Sequence, residues 1–252
     1  MSRTLNGKTL FVTGGNVGIG LAAALAFAQE GANIAIYARR EDKNDEARKL
    51  IEVAGVKCLT FAANATDETQ MKEAIAQTVR MLGGLHYAFN NVGVSQGAVP
   101  LRDLSVEEYQ SQMDGNVKST FLAMKHEIPA IIASGGGAIC NNASASGIVA
   151  TSHQALYSAA KFAVVGMTKA AALELAKQNV RVNVVCPGAT TGDMFLRFRQ
   201  EFPEIADQAI AKHPMGRIGL KEEVGQAVLF LCRDATFTTG LAFTVDGGRT
   251  VG

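Results

Sequence analysis

Tyr157 and Lys161 stand four residues apart in the segment Leu156-Tyr157-Ser158-Ala159-Ala160-Lys161, and Ser144 precedes the tyrosine by thirteen residues. On a helix, positions i and i+4 share a face, so the phenol and the ammonium become neighbours. A cation beside a phenol favours phenolate and is expected to pull the tyrosine down from its ordinary value of about 10. A tyrosine tuned in this way passes a proton to or from an alcohol oxygen near neutral pH. The same spacing also suits a solvated helix face, so the chemistry depends on what else the chain brings to these residues.

The N-terminus supplies a partner for that chemistry. Lys8 to Val12 reads as a short buried strand running into Thr13-Gly14-Gly15-Asn16-Val17-Gly18-Ile19-Gly20, and an alanine-rich segment follows at once. Glycines at 14, 18 and 20 let the backbone turn sharply and approach a ligand, while the free N–H groups of a new helix face a pyrophosphate. The pattern is Gly-x3-Gly-x-Gly and not the usual dinucleotide Gly-x-Gly-x-x-Gly, so its context carries the reading. That context is a strand before, a helix after, and a further strand at 33–38.

Strand-like and helix-like segments alternate along the chain with no long linker, repeat or low-complexity tract. Strands are expected near 8–13, 33–38, 57–62, 85–90, 136–142, 180–186 and 241–245. Helices are expected near 18–30, 43–54, 67–82, 105–133, 155–178 and 222–233. This alternation predicts an α/β fold: one doubly wound, Rossmann-like domain over 1–252, with a parallel seven-stranded sheet and helices on both faces. Its ligand crevice belongs at the carboxyl ends of the strands, where the glycine turn, Asn90, Ser144 and Pro187 all fall.

Taken in order, TGGNVGIG, Asn90-Asn91-Val92-Gly93, Asn116, Ser144, Tyr157, Lys161, Pro187-Gly188 and the closing Val245-Asp246-Gly247-Gly248 resemble the classical short-chain dehydrogenase/reductase family over nearly the whole chain. The resemblance implies hydride transfer between a nicotinamide dinucleotide and a ketone or secondary alcohol. Tyr157 would be the general acid or base, Lys161 its electrostatic partner and a ribose ligand, and Ser144 a donor to the substrate oxygen. Asn116 would hold a water that connects Lys161 to solvent. Cofactor contacts are implied for Gly14, Asn16, Gly18, Ile19, Gly20, Arg39, Asn64, Ala65, Asn91, Gly93, Tyr157, Lys161, Pro187, Gly188 and Thr190.

Cofactor choice should be decided at Ile36-Tyr37-Ala38-Arg39-Arg40. Ala38 stands where NAD-preferring relatives carry Asp, and Arg39 is placed for charge-assisted bonds to a 2′-phosphate, so NADP(H) is expected, with NAD(H) as the alternative. The chain departs from the family pattern at three positions. Asn64 replaces an Asp that contacts adenine but keeps an acceptor oxygen, and Val92 replaces Ala. Gly192 stands where a nicotinamide-binding Thr is common, leaving that bond to Thr190 or Thr191. Ser95, Gln96, Ser146, Val149, His153 and Gln154 flank the expected substrate position. A lid is expected near 189–215, where Met194, Phe195 and Phe198 favour a hydrophobic substrate and Arg197 and Arg199 leave an anionic one open.

With 252 residues, 48% of them hydrophobic, the chain can bury a full α/β core. Its formal net charge of +1 and scattered basic residues give no footprint for nucleic acid. No apolar run reaches the ~20 residues that span a bilayer, and the N-terminus does not read as a signal peptide, so a cytoplasmic protein without a membrane partner is expected. Cys58, Cys140, Cys186 and Cys232 suit buried, reduced thiols. The four histidines, read as surface or boundary residues, show no metal-binding spacing, so no metal site is expected. A homotetramer is expected from the family and from apolar positions on several faces of the helix at Tyr157, with Thr250-Val251-Gly252 in an interface. A catalytically silent dinucleotide sensor or scaffold is the alternative from another class. It would not need Asn116, Ser144, Tyr157 and Lys161 together.

Overall fold

The computed structural model describes residues 4–251, apart from the side chains of residues 193 and 194. Seven strands, β1 (Thr9–Thr13), β2 (Asn33–Ala38), β3 (Cys58–Ala62), β4 (Tyr87–Asn90), β5 (Gly137–Asn142), β6 (Val180–Pro187) and β7 (Ala242–Val245), form one sheet in the order β3-β2-β1-β4-β5-β6-β7. Every pairing is parallel. Chain order reverses between β1 and β4, and the crevice outside such a reversal is where doubly wound sheets bind ligands.

Alternation along β1 shows how the layers are built. Leu10 and Val12 enter one core with Phe27 of α1 (Gly18–Gln29), Ile51 of α2 (Glu41–Glu52) and Val224 and Val228 of α9 (Lys221–Leu229). Phe11, between them in sequence, enters the opposite core. There it meets Met71 and Ile75 of α3 (Glu68–Leu82), Ile131 of α5 (Ser119–Ala133) and Leu175 of α6 (Ala155–Leu175). A strand covered on both faces needs apolar side chains on both, which is why Leu10, Phe11 and Val12 run without polar alternation between Thr9 and Thr13.

The segment read as one helix over 105–133 is α4 (Val106–Met113), a π turn over Asp114–Lys118, and α5. The Ser105/Glu108 capping box opens it, and the wide turn places Asn116 inward with no exposed surface. The lid region differs more from expectation. Where no helix was expected it holds α7 (Asp193–Glu201) and α8 (Pro203–Ala211), with Pro203 at the first turn of α8. Phe195, Phe198 and Phe202 stack in sequence with centroid separations of 6.4 and 5.4 Å. Met194 and Gly252, also singled out from the sequence, lie outside the described side chains and residues.

Candidate active site

The glycine turn fits a dinucleotide on its own geometry. Gly14 and Gly18 adopt φ of 65° and 57°, and a Cβ on Gly20 would overlap the Gly14 carbonyl. The N-cap of α1, Val17, makes no side-chain cap, and the first turn holds no acidic residue. The helix therefore offers its N–H donors and the positive end of its dipole to an anion. Ile19 packs behind the turn and Ala65 is buried in the opposite core.

Two of the residues expected at the cofactor also brace this cradle. Asn91 donates from Nδ2 to the Gly14 carbonyl at 3.1 Å and accepts from Asn142 Nδ2 at 2.9 Å, tying the turn to the ends of β4 and β5. Asn16, 6% exposed, donates to Asn44 Oδ1 at 2.9 Å and to the Arg40 carbonyl at 3.4 Å. That fixes the backbone beside Arg39, whose side chain is exposed at the carboxyl end of β2. Asn64 Oδ1 accepts from Thr66 N and Oγ1 at 3.2 and 3.1 Å, which fixes the turn after β3.

Beyond β5, Ser144 caps a 3-10 turn over Ala145–Gly147, and its hydroxyl is close enough to the Tyr157 phenol to favour phenolate. Lys161 Nζ lies 5.5 Å from the Tyr157 ring centroid and donates to the Asn142 carbonyl at 3.1 Å. A Cβ on Gly93 would come within 2.8 Å of Asn116 Oδ1 and 3.2 Å of Lys161 Nζ, so only a glycine lets the β4 loop lie this close to both. Ser144, Tyr157, Lys161, Asn116 and Gly93 are thus brought together at one rim of the sheet. Pro187 ends β6, and Gly188 packs so tightly on His213 that a Cβ there would contact the imidazole. Thr190 is buried beside them, while Thr191 Oγ1 accepts the Lys221 N–H at 3.1 Å.

Burial is the largest influence on the phenol's acidity. Burial pushes Tyr157 up from its ordinary value, opposed by the Ser144 hydrogen bond and then by the charge of Arg249. Lys161 sits along the ring and its own burial lowers it to about 8, so it is a weakened cation here. Asn116 also has a structural task. Its Nδ2 donates to the Val94 and Gln112 carbonyls at 3.1 and 3.0 Å while its Oδ1 accepts from Val94 N at 3.2 Å, clamping the loop after β4.

Comparison with known proteins agrees with this geometry. The family model described as enoyl-(acyl carrier protein) reductase matches residues 14–250. A 2,5-dichloro-2,5-cyclohexadiene-1,4-diol dehydrogenase of Sphingobium indicum is 40% identical over 249 residues, 98% of each chain. A cyclohexanol dehydrogenase of Acinetobacter sp. is 38% identical over 255 residues, 99% of this chain and 98% of the relative. The solved carveol dehydrogenase from Mycobacterium avium in complex with NAD superposes with a TM-score of 0.93 at 26% identity, covering 100% of both chains. The chain belongs to the classical short-chain dehydrogenase/reductase family.

Within this short-chain dehydrogenase fold, several residues at the site were not signalled by the family motifs. Gln96, 4% exposed, accepts the Tyr157 N–H, and Gln112 donates to the Ser95 carbonyl at 3.0 Å. Gln96, expected to flank the substrate, thus braces the start of the Tyr157 helix. Gln112, four residues before Asn116, was findable from helical spacing. His213, read as a surface or boundary residue, is 3% exposed and accepts the Ala189 N–H at 3.1 Å, joining the lid to the end of β6. His86 is buried as well, accepting from Thr9 N at 3.2 Å. His153 is exposed at φ 63°, with its carbonyl bonded to Val99 N at 3.0 Å. The four cysteines are free and buried. Among the described residues no group of side chains forms a metal site, and no helix is long and apolar enough to cross a membrane.

Proposed function

We propose that the protein is an NADP(H)-dependent oxidoreductase acting on a ketone or secondary alcohol, with a medium-sized hydrophobic substrate. The observation that carries this is the convergence of Ser144 and Lys161 on Tyr157, beside a glycine cradle with uncapped helix donors. The dinucleotide supplies the hydride; the chain positions it and handles the proton. Tyr157 Oη gives a proton to the carbonyl oxygen or takes one from the alcohol, while Ser144 Oγ donates to the same oxygen as charge develops. Lys161 Nζ is placed to hydrogen-bond the nicotinamide ribose, and Thr190, on the β6 side, the carboxamide. Among the described residues no carboxylate follows Ala38 before Glu41, and Arg39 is the cation at the end of β2, which supports NADP(H).

The apolar lid supports a hydrophobic substrate. Phe202 lies within contact distance of Gly97, closing the aromatic ladder over the loop beside Tyr157. The names of the relatives, a cyclohexanol dehydrogenase and a cyclohexadiene diol dehydrogenase, agree with a cyclic alcohol of that size. Exposed Val106, Tyr109, Phe121, Phe162 and Leu173 on α4, α5 and α6 support assembly as a homotetramer, and four buried thiols suit the cytoplasm.

The test is dinucleotide reduction or oxidation with a panel of cyclic and acyclic secondary alcohols, ketones and acyl substrates. Tyr157→Phe is expected to lower kcat by at least about a hundredfold while dinucleotide affinity persists. Near-normal turnover in that variant overturns the assignment. Dinucleotide binding without turnover of any substrate would favour the sensor alternative.

A further inference from the structure

The turn after β7 carries Arg249, one residue past the closing Val245-Asp246-Gly247-Gly248 motif. Asp246, 7% exposed, accepts the N–H groups of Gly248 and Thr250 with its two carboxylate oxygens at 3.1 and 3.0 Å. Gly247 and Gly248 take φ of 58° and 88°, so the chain doubles back and residue 249 is held from both sides. From there Arg249 reaches across 98 residues of sequence, and its Nη2 donates to Thr151 Oγ1 at 2.7 Å.

Thr151 leads directly to the reacting groups. Its Oγ1 is 2.8 Å from Ser146 Oγ, and the Ser146 N–H donates to Ser144 Oγ at 3.1 Å. The backbone N–H of Thr151 donates to Oγ of Ser158, the residue after Tyr157, at 3.2 Å. The guanidinium is therefore joined to both sides of the Ser144–Tyr157 pair. It is half-buried, where charge acts over a longer range than in water. Arg249 and Tyr157 also shift each other's titration, the cation favouring phenolate and the phenolate favouring the cation.

We propose that Arg249 is a positioning residue for the reaction: through Thr151 Oγ1 it holds Ser146, whose backbone N–H orients the Ser144 hydroxyl, and it brings a positive charge to the hydrogen-bonded chain that flanks Ser144 and Tyr157. This rests on the reading of Tyr157 as the proton-transferring group. Thr151 separates the two contributions, since Thr151→Val removes the anchor and leaves the charge.

The test is an absorbance titration of phenolate in the full chain, with and without NADP+, taking each protein minus its Tyr157→Phe counterpart so that Tyr157 alone is read. Arg249→Met and Arg249→Gln are expected to move the Tyr157 transition to higher pH by about half a unit or more, and Arg249→Lys to restore it. Thr151→Val should leave the transition in place and lower kcat several-fold. Arg249→Gln keeps a donor for Thr151 and carries the prediction should the methionine variant fail to fold. A Tyr157 transition unmoved in the methionine or glutamine variant overturns the inference, as does a shift that Arg249→Lys fails to restore. Full turnover in Tyr157→Phe would instead sink the functional reading beneath it.

Discussion

Gln96 Oε1 accepts the backbone N–H of Tyr157 at 2.9 Å, across 61 residues of sequence. Tyr157 is the third residue of α6, whose N-cap Gln154 makes no side-chain cap. A buried side chain from the β4 loop therefore satisfies a helix donor that the helix itself cannot, and it does so at the catalytic residue. Gln96 Nε2 donates in turn to the His153 carbonyl at 3.3 Å, so one amide fixes both the helix start and the turn leading to it.

Removing that amide should cost stability and alignment together. Gln96→Leu is expected to destabilise the fold by about 0.5–2 kcal/mol, the range for loss of a helix cap. It should also lower kcat several-fold with little change in dinucleotide affinity. Gln96→Glu keeps an acceptor for Tyr157 and should recover part of the rate. Chemical denaturation and steady-state kinetics check the two effects; an unchanged midpoint and kcat in the leucine variant would show that the contact is incidental.

Cofactor preference should turn on Ala38 and Arg39. Replacing Ala38 by Asp and Arg39 by Leu removes the cation proposed for the 2′-phosphate and adds an acceptor for the ribose hydroxyls of NAD(H). A charge-assisted hydrogen bond is worth about 1.5–3 kcal/mol, so the ratio of kcat/KM for the two cofactors should shift by roughly ten- to a hundredfold or more toward NAD(H). Asn16 and Asn44 brace the backbone at Arg40 and are left intact, so the turn should keep its shape. Equal ratios in variant and parent would remove Arg39 from the site.

What the sequence made legible was local. The β1 run into Gly14, Gly18 and Gly20 specifies strand, turn and helix within twenty residues, and all seven strands fall within two residues of their expected bounds. Less visible were contacts closed by tertiary packing. No motif marks the bonds of Gln96 to Tyr157 or of Arg249 to Thr151, which close only when the chain folds back by 61 and 98 positions. The environment of Tyr157 is a related case. Spacing reports that Lys161 is near the phenol, but burial acts on the phenol more strongly than Ser144 or the charge of Arg249. The lid helices were hidden because Phe195, Phe198 and Phe202 stack mainly on one another, with no strong core stripe to mark a helix.

Glu127 gives a stability prediction of definite sign. It has no exposed surface, its Oε2 accepts from Asn90 Nδ2 at 2.9 Å, and Asn90 also donates to Asn141 Oδ1 at 3.0 Å. Burial raises its carboxyl from 4.5 to about 8. Between those values the folded chain holds a proton that the unfolded chain has released, so Glu127's contribution is complete below 4.5 and is lost as pH rises through about 8. Glu127→Gln, a neutral isostere, should flatten the fall in stability across this window. Denaturation midpoints of both proteins at several pH values test it; parallel profiles would mean that Glu127 does not hold the proton.

Lys161 has the opposite sign and links pH to cofactor binding. It is 3% exposed, and one carbonyl bond does not offset its burial, so it falls from 10.5 to about 8. Between these values the unfolded chain binds the extra proton, so Lys161 makes the ligand-free protein more stable as pH rises. For the dinucleotide the dependence reverses, because the ammonium is the form that donates most strongly to a ribose hydroxyl. Above pH of about 8 an increasing share of the protein must take up a proton to bind, and Kd should climb toward about tenfold per unit where binding requires the charged form. Lys161→Met removes the titrating group and should bind more weakly at neutral pH but with a flat profile. Fluorescence titration with NADPH on either side of the transition measures both. A parent protein whose affinity does not change there would mean that the ammonium does not contact the bound dinucleotide.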